Sequence, residues 1–268
     1  ENNLGIPEYD APLARTTRRG VLDYEVDWDA FERQITKAGM FLLCNPHNPV
    51  GKIFSRGDLR RMAKTCIEND VVIVSDEIHS ELLLDDEKFI PVATLSRDIE
   101  RHTITLVSAS KTFNVPGLFC GFAIVPDPRL RERMAKVIDA LKMHTNSLGL
   151  SAAQAAFSGK CDPWLRALRK YLTGNRDFLI EYARDYLPDI RLTRPQATYL
   201  EWLDCGELVS SVRIEGSPFQ FFLDEAKLAL ADGKLYAGDH PDFVRLNFGC
   251  PRSTLERGLE RMRKALYR

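Results

Sequence analysis

Two short apolar runs, MFLLC at 40–44 and VVIVS at 71–75, stand on either side of a loop and an amphipathic segment. Each run is too short for a helix and apolar throughout, the pattern of a parallel strand buried on both faces. Between them NPHNPVGK (45–52) is too rich in Asn, Pro and Gly to be anything but a loop. Ser55 with Asp58 three residues on predicts a capping-box helix start, and Leu59, Met62, Ala63, Cys66 and Ile67 then fall on one helical face. A strand, a crossover helix and a second strand in one sheet demand a right-handed parallel connection. That unit restricts the chain to an α/β fold.

The rest of the chain extends the pattern. Trp28, Phe31 and Ile35 lie on one face of a helix over 28–35, TITLV (103–107) is a third strand, and FCGFAIV (119–125) a fourth. Asp127 and Pro128 open a helix whose Leu130, Met134, Val137, Ile138 and Leu141 are predicted to face inward, and SAAQAAF (151–157) is a shorter helix. From about Pro163 the character changes to one long amphipathic stretch, Trp164 to Tyr186. Then come a strand (198–203), a helix (Pro218–Leu230), a strand (243–248) and a closing helix carrying Leu255, Leu259, Met262 and Leu266. This divides the 268 residues into a larger part, 1–163, and a smaller α+β part, 164–268. A formal net charge of −1 gives no general field for nucleic acid or an anionic membrane, and no apolar stretch reaches the ~20 residues of a spanning helix. The six cysteines are scattered singly, without metal or redox spacing, which predicts reduced thiols and a cytoplasmic protein. His47, His102, His144 and His240 show no metal-ligand spacing and read as non-ligands.

Chemistry-bearing residues gather at the carboxyl ends of the first three predicted strands, the edge where open α/β sheets bind ligands. Asn45 and Asn48 follow the first, Asp76 the second, and Ser108, Ser110 and Lys111 the third. A lysine amine among polar groups can form an imine with an aldehyde. A buried aspartate suits the pyridine nitrogen of pyridoxal 5'-phosphate (PLP), Asn and His its phenolic oxygen, and serine hydroxyls its phosphate. A helical turn after Asp76 would carry His79 toward the same pocket.

Through NPHNPVGK (45–52), SDEIHSEL (75–82), SASKTFNVPGL (108–118) and VRLNFGCPRS (244–253), the chain resembles the fold-type I PLP enzymes, the class I/II aminotransferase superfamily. DEIH, SASKTFN and RLNFGCPRS are most similar to the branch of cystathionine β-lyases and related C–S lyases, the MalY- and PatB-type enzymes. The resemblance implies a three-layer major domain with a mostly parallel sheet, a smaller C-terminal α+β domain, PLP as cofactor and a homodimer. It also implies residue roles. Lys111 holds the cofactor aldehyde and shuttles the α-proton; Asp76 pairs with the pyridine nitrogen; Asn48 and His79 contact the phenolic oxygen. Ser108, helped by Ser110, binds phosphate, and Arg245 grips the substrate α-carboxylate. Arg252 is expected to cap or pair locally at a helix start.

Two departures from the family pattern stand out. Phe119 occupies the position eight after the lysine, where many members carry a phosphate-binding arginine; the lyase branch often lacks it too. Nothing in Glu1–Gly39 matches the family's glycine-containing phosphate loop or its ring-stacking aromatic, and the chain opens at Glu1 rather than Met. The expectation is a C-terminal portion of a longer chain. The expected activity is α,β-elimination on a cysteine-type thioether such as cystathionine, giving pyruvate, ammonia and a thiol. The alternatives are an aminotransferase using the same residues, and a non-catalytic module or inactive fragment of the same fold.

Overall fold

The computed structural model describes residues 5–18, 21–236 and 240–267. In chain order the elements are β1 (Leu13–Arg18), β2 (Val21–Val26), α1 (Trp28–Ile35), β3 (Met40–Cys44), α2 (Arg56–Glu68), β4 (Val72–Asp76), α3 (Arg97–His102) and β5 (Thr103–Val107). They continue with β6 (Phe122–Ile124), α4 (Pro128–Ala140), α5 (Ser147–Ala156), α6 (Asp162–Tyr186), β7 (Arg191–Leu192) and β8 (Leu200–Asp204). The chain closes with α7 (Gly206–Ser210), α8 (Pro218–Asp224), β9 (Ala231–Asp232), β10 (Phe243–Asn247) and α9 (Arg252–Leu266).

The two apolar runs form the parallel pair β3–β4, β5 adds in parallel beside β4, and β6 closes the sheet antiparallel to β5. The helix between β3 and β4 starts as its sequence dictates. Asp58 N–H donates to Ser55 Oγ at 3.1 Å while Ser55 N–H donates to the Asp58 carboxylate at 3.2 Å. Leu59, Met62, Ala63 and Cys66 of α2 meet Phe31 and Ile35 of α1, Leu43, Ile73 and Ile99 in one buried cluster. Phe41 adds an edge-to-face contact to Phe31 at 5.1 Å.

Two burial expectations are corrected. β3 is covered on one face only: Met40 and Leu42, which alternate with Phe41 and Leu43, are 55% and 72% exposed. β3 is an edge strand here, and no described element lies over those two side chains. Likewise α4 forms on its Asp127 cap and Pro128, yet no residue of it is buried, and Val137, Ile138 and Leu141 are exposed. Its apolar stripe is present, with Leu130 and Met134 only half-buried. Of FCGFAIV only Phe122–Ile124 is strand, because Phe119 takes a left-handed backbone (φ 44°) that ends the preceding turn.

The second sheet has the order β7-β8-β10-β9 and is antiparallel throughout. Every residue of β8 is buried. Leu172, Leu179 and Ala183 of α6, Phe222 of α8, and Leu255, Leu259 and Met262 of α9 pack with Leu203, Val244 and Phe248. Leu82 and Leu84, which follow β4, enter this same core and so join the two sheets. α8 stops at Asp224, six residues before its predicted end: Lys227 turns left-handed (φ 54°) and Leu228 N–H bonds back to Phe222 C=O. The hairpin β1–β2 is an element the sequence reading missed. Its Leu22 and Tyr24 pack with Val50, Trp202 and Phe243. Among the described residues no helix is long and apolar enough to cross a membrane.

Candidate active site

The loop after β3 is fixed before any ligand is considered. Gly51 has φ 70°, and a Cβ there would stand 2.5 Å from Pro195 Cβ, so only glycine allows this approach. Its carbonyl accepts from Gln196 and Ala197 N–H at 2.8 and 3.1 Å, while Ile53 N–H donates to Gln196 Oε1 at 3.0 Å. Asn45 is buried; its Oδ1 accepts from Phe54 N–H at 3.2 Å, which ties the loop down, while its Nδ2 has no partner among the described residues. Asn48 is half-buried, and its Oδ1 accepts from Arg245 Nη1 at 2.9 Å. Two residues 197 positions apart, each singled out in the sequence, thereby meet.

Asp76 ends β4, in register with Cys44 of β3 and Leu106 of β5. One carboxylate oxygen accepts from Ile78 N–H at 3.1 Å; the other receives no hydrogen bond from a described residue. The segment beyond is a turn rather than a helix, closed by Ser80 N–H to Glu77 C=O and Leu82 N–H to His79 C=O. It still delivers His79 inward. His79 is 4% exposed, lies edge-on to Tyr199 at 6.0 Å, and its Nδ1 has no hydrogen-bond partner. Burial, reinforced by the positive charges of Lys111 and Arg245, pushes its pKa down to about 4, so the ring is neutral near pH 7.

After β5 the backbone turns so that Ser108 Oγ donates to Cys120 C=O at 2.7 Å and accepts from Ser110 N–H at 3.1 Å, with Ser110 Oγ 2.9 Å away. The adjacent Lys111 is half-buried, and its amine has no hydrogen-bond or ion-pair partner among the described residues. Arg245, on β10, also lacks a carboxylate partner there; beyond Asn48 its guanidinium faces the ring of Tyr236 at 5.3 Å. Phe119 is 84% exposed. Arg252 bonds Asn175 Oδ1 at 2.9 Å and lies over the Phe178 ring at 4.5 Å, a link between α9 and α6.

These groups fit PLP. A buried histidine nitrogen without a partner, an unpaired lysine amine, a strand-end carboxylate with a free oxygen and two clustered serine hydroxyls match its phenol, aldehyde, pyridine nitrogen and phosphate. Three neighbours went unnoticed in the sequence. Tyr199 lies edge-on to His79 and feels the charge of Arg245, and Gly249 allows its ring to come close, since a Cβ would lie 3.1 Å from it. Glu77, 3% exposed, accepts from Ser75 Oγ and Val92 N–H and anchors the turn after β4; burial pushes its pKa up to about 7. Tyr236 backs Arg245. The period-two strand TYLEWL was a usable signal for Tyr199; nothing periodic surrounds Tyr236.

Known proteins resemble this chain in sequence and in fold. Residues 10–262 match the family model described as aminotransferase class I and II. Cystathionine beta-lyase PatB of Bacillus subtilis is 36% identical over 250 residues, covering 91% of this chain and 62% of that protein. Protein MalY of Escherichia coli is 34% identical over 224 residues, 82% of this chain and 55% of that one. The crystal structure of the PLP-bound C–S lyase from Staphylococcus hominis superposes with a TM-score of 0.85 at 29% identity, covering 94% of this chain and 64% of that chain. The chain therefore spans less than two thirds of the length of each of these three proteins. On the family match and the identity to PatB together, the chain belongs to the aminotransferase class I and II family.

Proposed function

We propose that this chain carries the PLP site of a C–S lyase acting by α,β-elimination on a cysteine thioether of the cystathionine type. The observation that carries the reading is the convergence at one sheet edge of Asn48, Asp76, His79 and the Ser108–Lys111 loop, beside an arginine that has no carboxylate partner among the described residues. Lys111 takes the cofactor aldehyde; Asp76 holds the pyridine nitrogen, Asn48 and neutral His79 the phenolic oxygen, Ser108 and Ser110 the phosphate. When bound, the cofactor supplies an electron sink for the pair released at the substrate α-carbon.

The remaining work falls to the protein. Arg245 presents in-plane N–H donors to the substrate α-carboxylate and so fixes the orientation of the Cα–H bond. Lys111, once exchanged for the substrate amine, is the general base for that proton. The thiolate leaves from Cβ and is protonated to the thiol, and water then hydrolyses the released enamine of the three-carbon unit to pyruvate and ammonia. The lyase names borne by PatB and by the S. hominis structure support elimination over amino transfer. Incubating the PLP-loaded protein with cystathionine is expected to release pyruvate and a thiol. Amino exchange with a keto acid, without pyruvate release, would replace this reading with the aminotransferase one.

The division at 163/164 is kept as part of the same reading, supported by the two separate sheets on either side of it. A homodimer is supported by apolar side chains left exposed at Leu141, Met143 and Leu148. The free thiols of all six cysteines support a cytoplasmic location.

A further inference from the structure

Arg245 leaves β10 on the face it shares with its cross-strand partner Trp202 and with Phe243 two residues before it. Trp202 is 1% exposed and stacks on Phe243 with ring centres 5.1 Å apart and planes 18° apart. Tyr236 stands against the same indole, 5.1 Å away and at 72°. Its ring lies 5.3 Å from the guanidinium carbon of Arg245. Phe243, Trp202 and Tyr236 thus form a column of rings rooted in a buried cluster, with the arginine at its outer end.

The arrangement is matched to what a guanidinium can do. Its hydrogen bonds lie in its plane, whereas an aromatic ring takes its flat face, so the two kinds of contact do not compete. The Tyr236 ring, 5.3 Å from the guanidinium carbon, is within reach of that flat face. Asn48 Oδ1, 2.9 Å from one terminal nitrogen, restricts rotation within the guanidinium plane. No described carboxylate neutralises the charge, so the rest of the in-plane edge is left for a planar anion. Contact with a neutral ring supports the cation without using the donors a carboxylate would need.

We propose that Tyr236 is the positioning residue of the substrate-carboxylate clamp: its ring, held by Trp202, sets the plane of Arg245 so that the free edge meets the α-carboxylate of an amino-acid substrate with two parallel hydrogen bonds. This rests on the assignment of Arg245 given above. The ring carries the effect and the hydroxyl takes no part. Binding of the carboxylate is therefore expected to respond to loss of the ring, while the proton transfer at Lys111 does not.

The test uses the PLP-loaded protein with cystathionine, in the parent and in Tyr236→Leu, Tyr236→Phe and Arg245→Lys. Tyr236→Leu is expected to raise KM roughly fivefold to tenfold with kcat held within about twofold, and Tyr236→Phe to recover most of that loss. Calorimetric binding of L-alanine against L-alaninamide supplies a readout apart from turnover. The parent is expected to favour the carboxylate, and Tyr236→Leu to narrow that preference by a similar factor. An unchanged KM in Tyr236→Leu, a fall in kcat instead, or a Tyr236→Phe as impaired as Tyr236→Leu overturns the proposal. Arg245→Lys separates the two levels. If it leaves KM unchanged, the assignment of Arg245 itself fails; if it raises KM while Tyr236→Leu does not, the role of Tyr236 alone fails.

Discussion

Glu201 illustrates how far a single side chain departs from its solution behaviour in this fold. It lies fully buried in β8, one carboxylate oxygen accepting from Thr193 N–H at 3.0 Å and Thr193 Oγ1 at 2.8 Å, the other without a partner. Burial outweighs those hydrogen bonds and pushes its pKa up to about 8, so the folded protein holds a proton that the unfolded chain releases above about 4.5. Between those two values the native state binds more protons, and the Glu201 contribution to stability falls as pH rises, levelling off above about 8. Urea unfolding of Glu201→Gln at pH 5 and pH 8.5 is expected to show a shallower loss than the parent, by on the order of a few kcal/mol. Equal slopes in the two proteins would mean that the carboxyl does not titrate as its burial demands. At this scale the sequence was informative about identity but not about pairing. Asn48 and Arg245 stood out in separate motifs, yet a hydrogen bond across 197 positions is a product of the two sheets' placement. Tyr236 had no motif to mark it, since its importance comes from Trp202 beneath it and Arg245 above.

At the scale of elements, legibility followed how local the cause is. The start and inner face of α2 were readable because the start is written in Ser55 and Asp58 and the buried face in a regular spacing. Ser55→Ala removes the side-chain acceptor for Asp58 N–H and is expected to cost ~1 kcal/mol, read as a lower urea midpoint with unchanged slope. No shift in midpoint would show that the cap adds nothing beyond what water supplies. α4 had an equally clear N-terminal cap and an equally clear stripe, yet no residue of that stripe is buried, and Val137, Ile138 and Leu141 are exposed. Amphipathicity states that one face is apolar, not what will cover it. The β1–β2 hairpin failed for the opposite reason. LARTTR shows no apolar alternation, and the strand is held by its pairing with β2, whose Leu22 and Tyr24 bury against a tryptophan far along the chain.

For the whole molecule, the parallel strands bring the polar ends of β3, β4 and β5 to one edge, and the second sheet brings Arg245 to meet them. Leu82 and Leu84 in the second core, with Gln196 bonded to the loop that bears Asn48, hold the two parts in that relation. The fold thus assembles a lysine amine without a partner among the described residues, an acid, a neutral histidine and paired serines. In the proposed function this lysine is the one that takes the cofactor aldehyde. The most direct measurement is reduction of the PLP-loaded protein with borohydride, followed by proteolysis and mass spectrometry of the lysine peptides. The account expects the phosphopyridoxyl mass on Lys111, and its loss together with pyruvate release in Lys111→Ala. A label on another lysine, or undiminished pyruvate formation by Lys111→Ala, would contradict it.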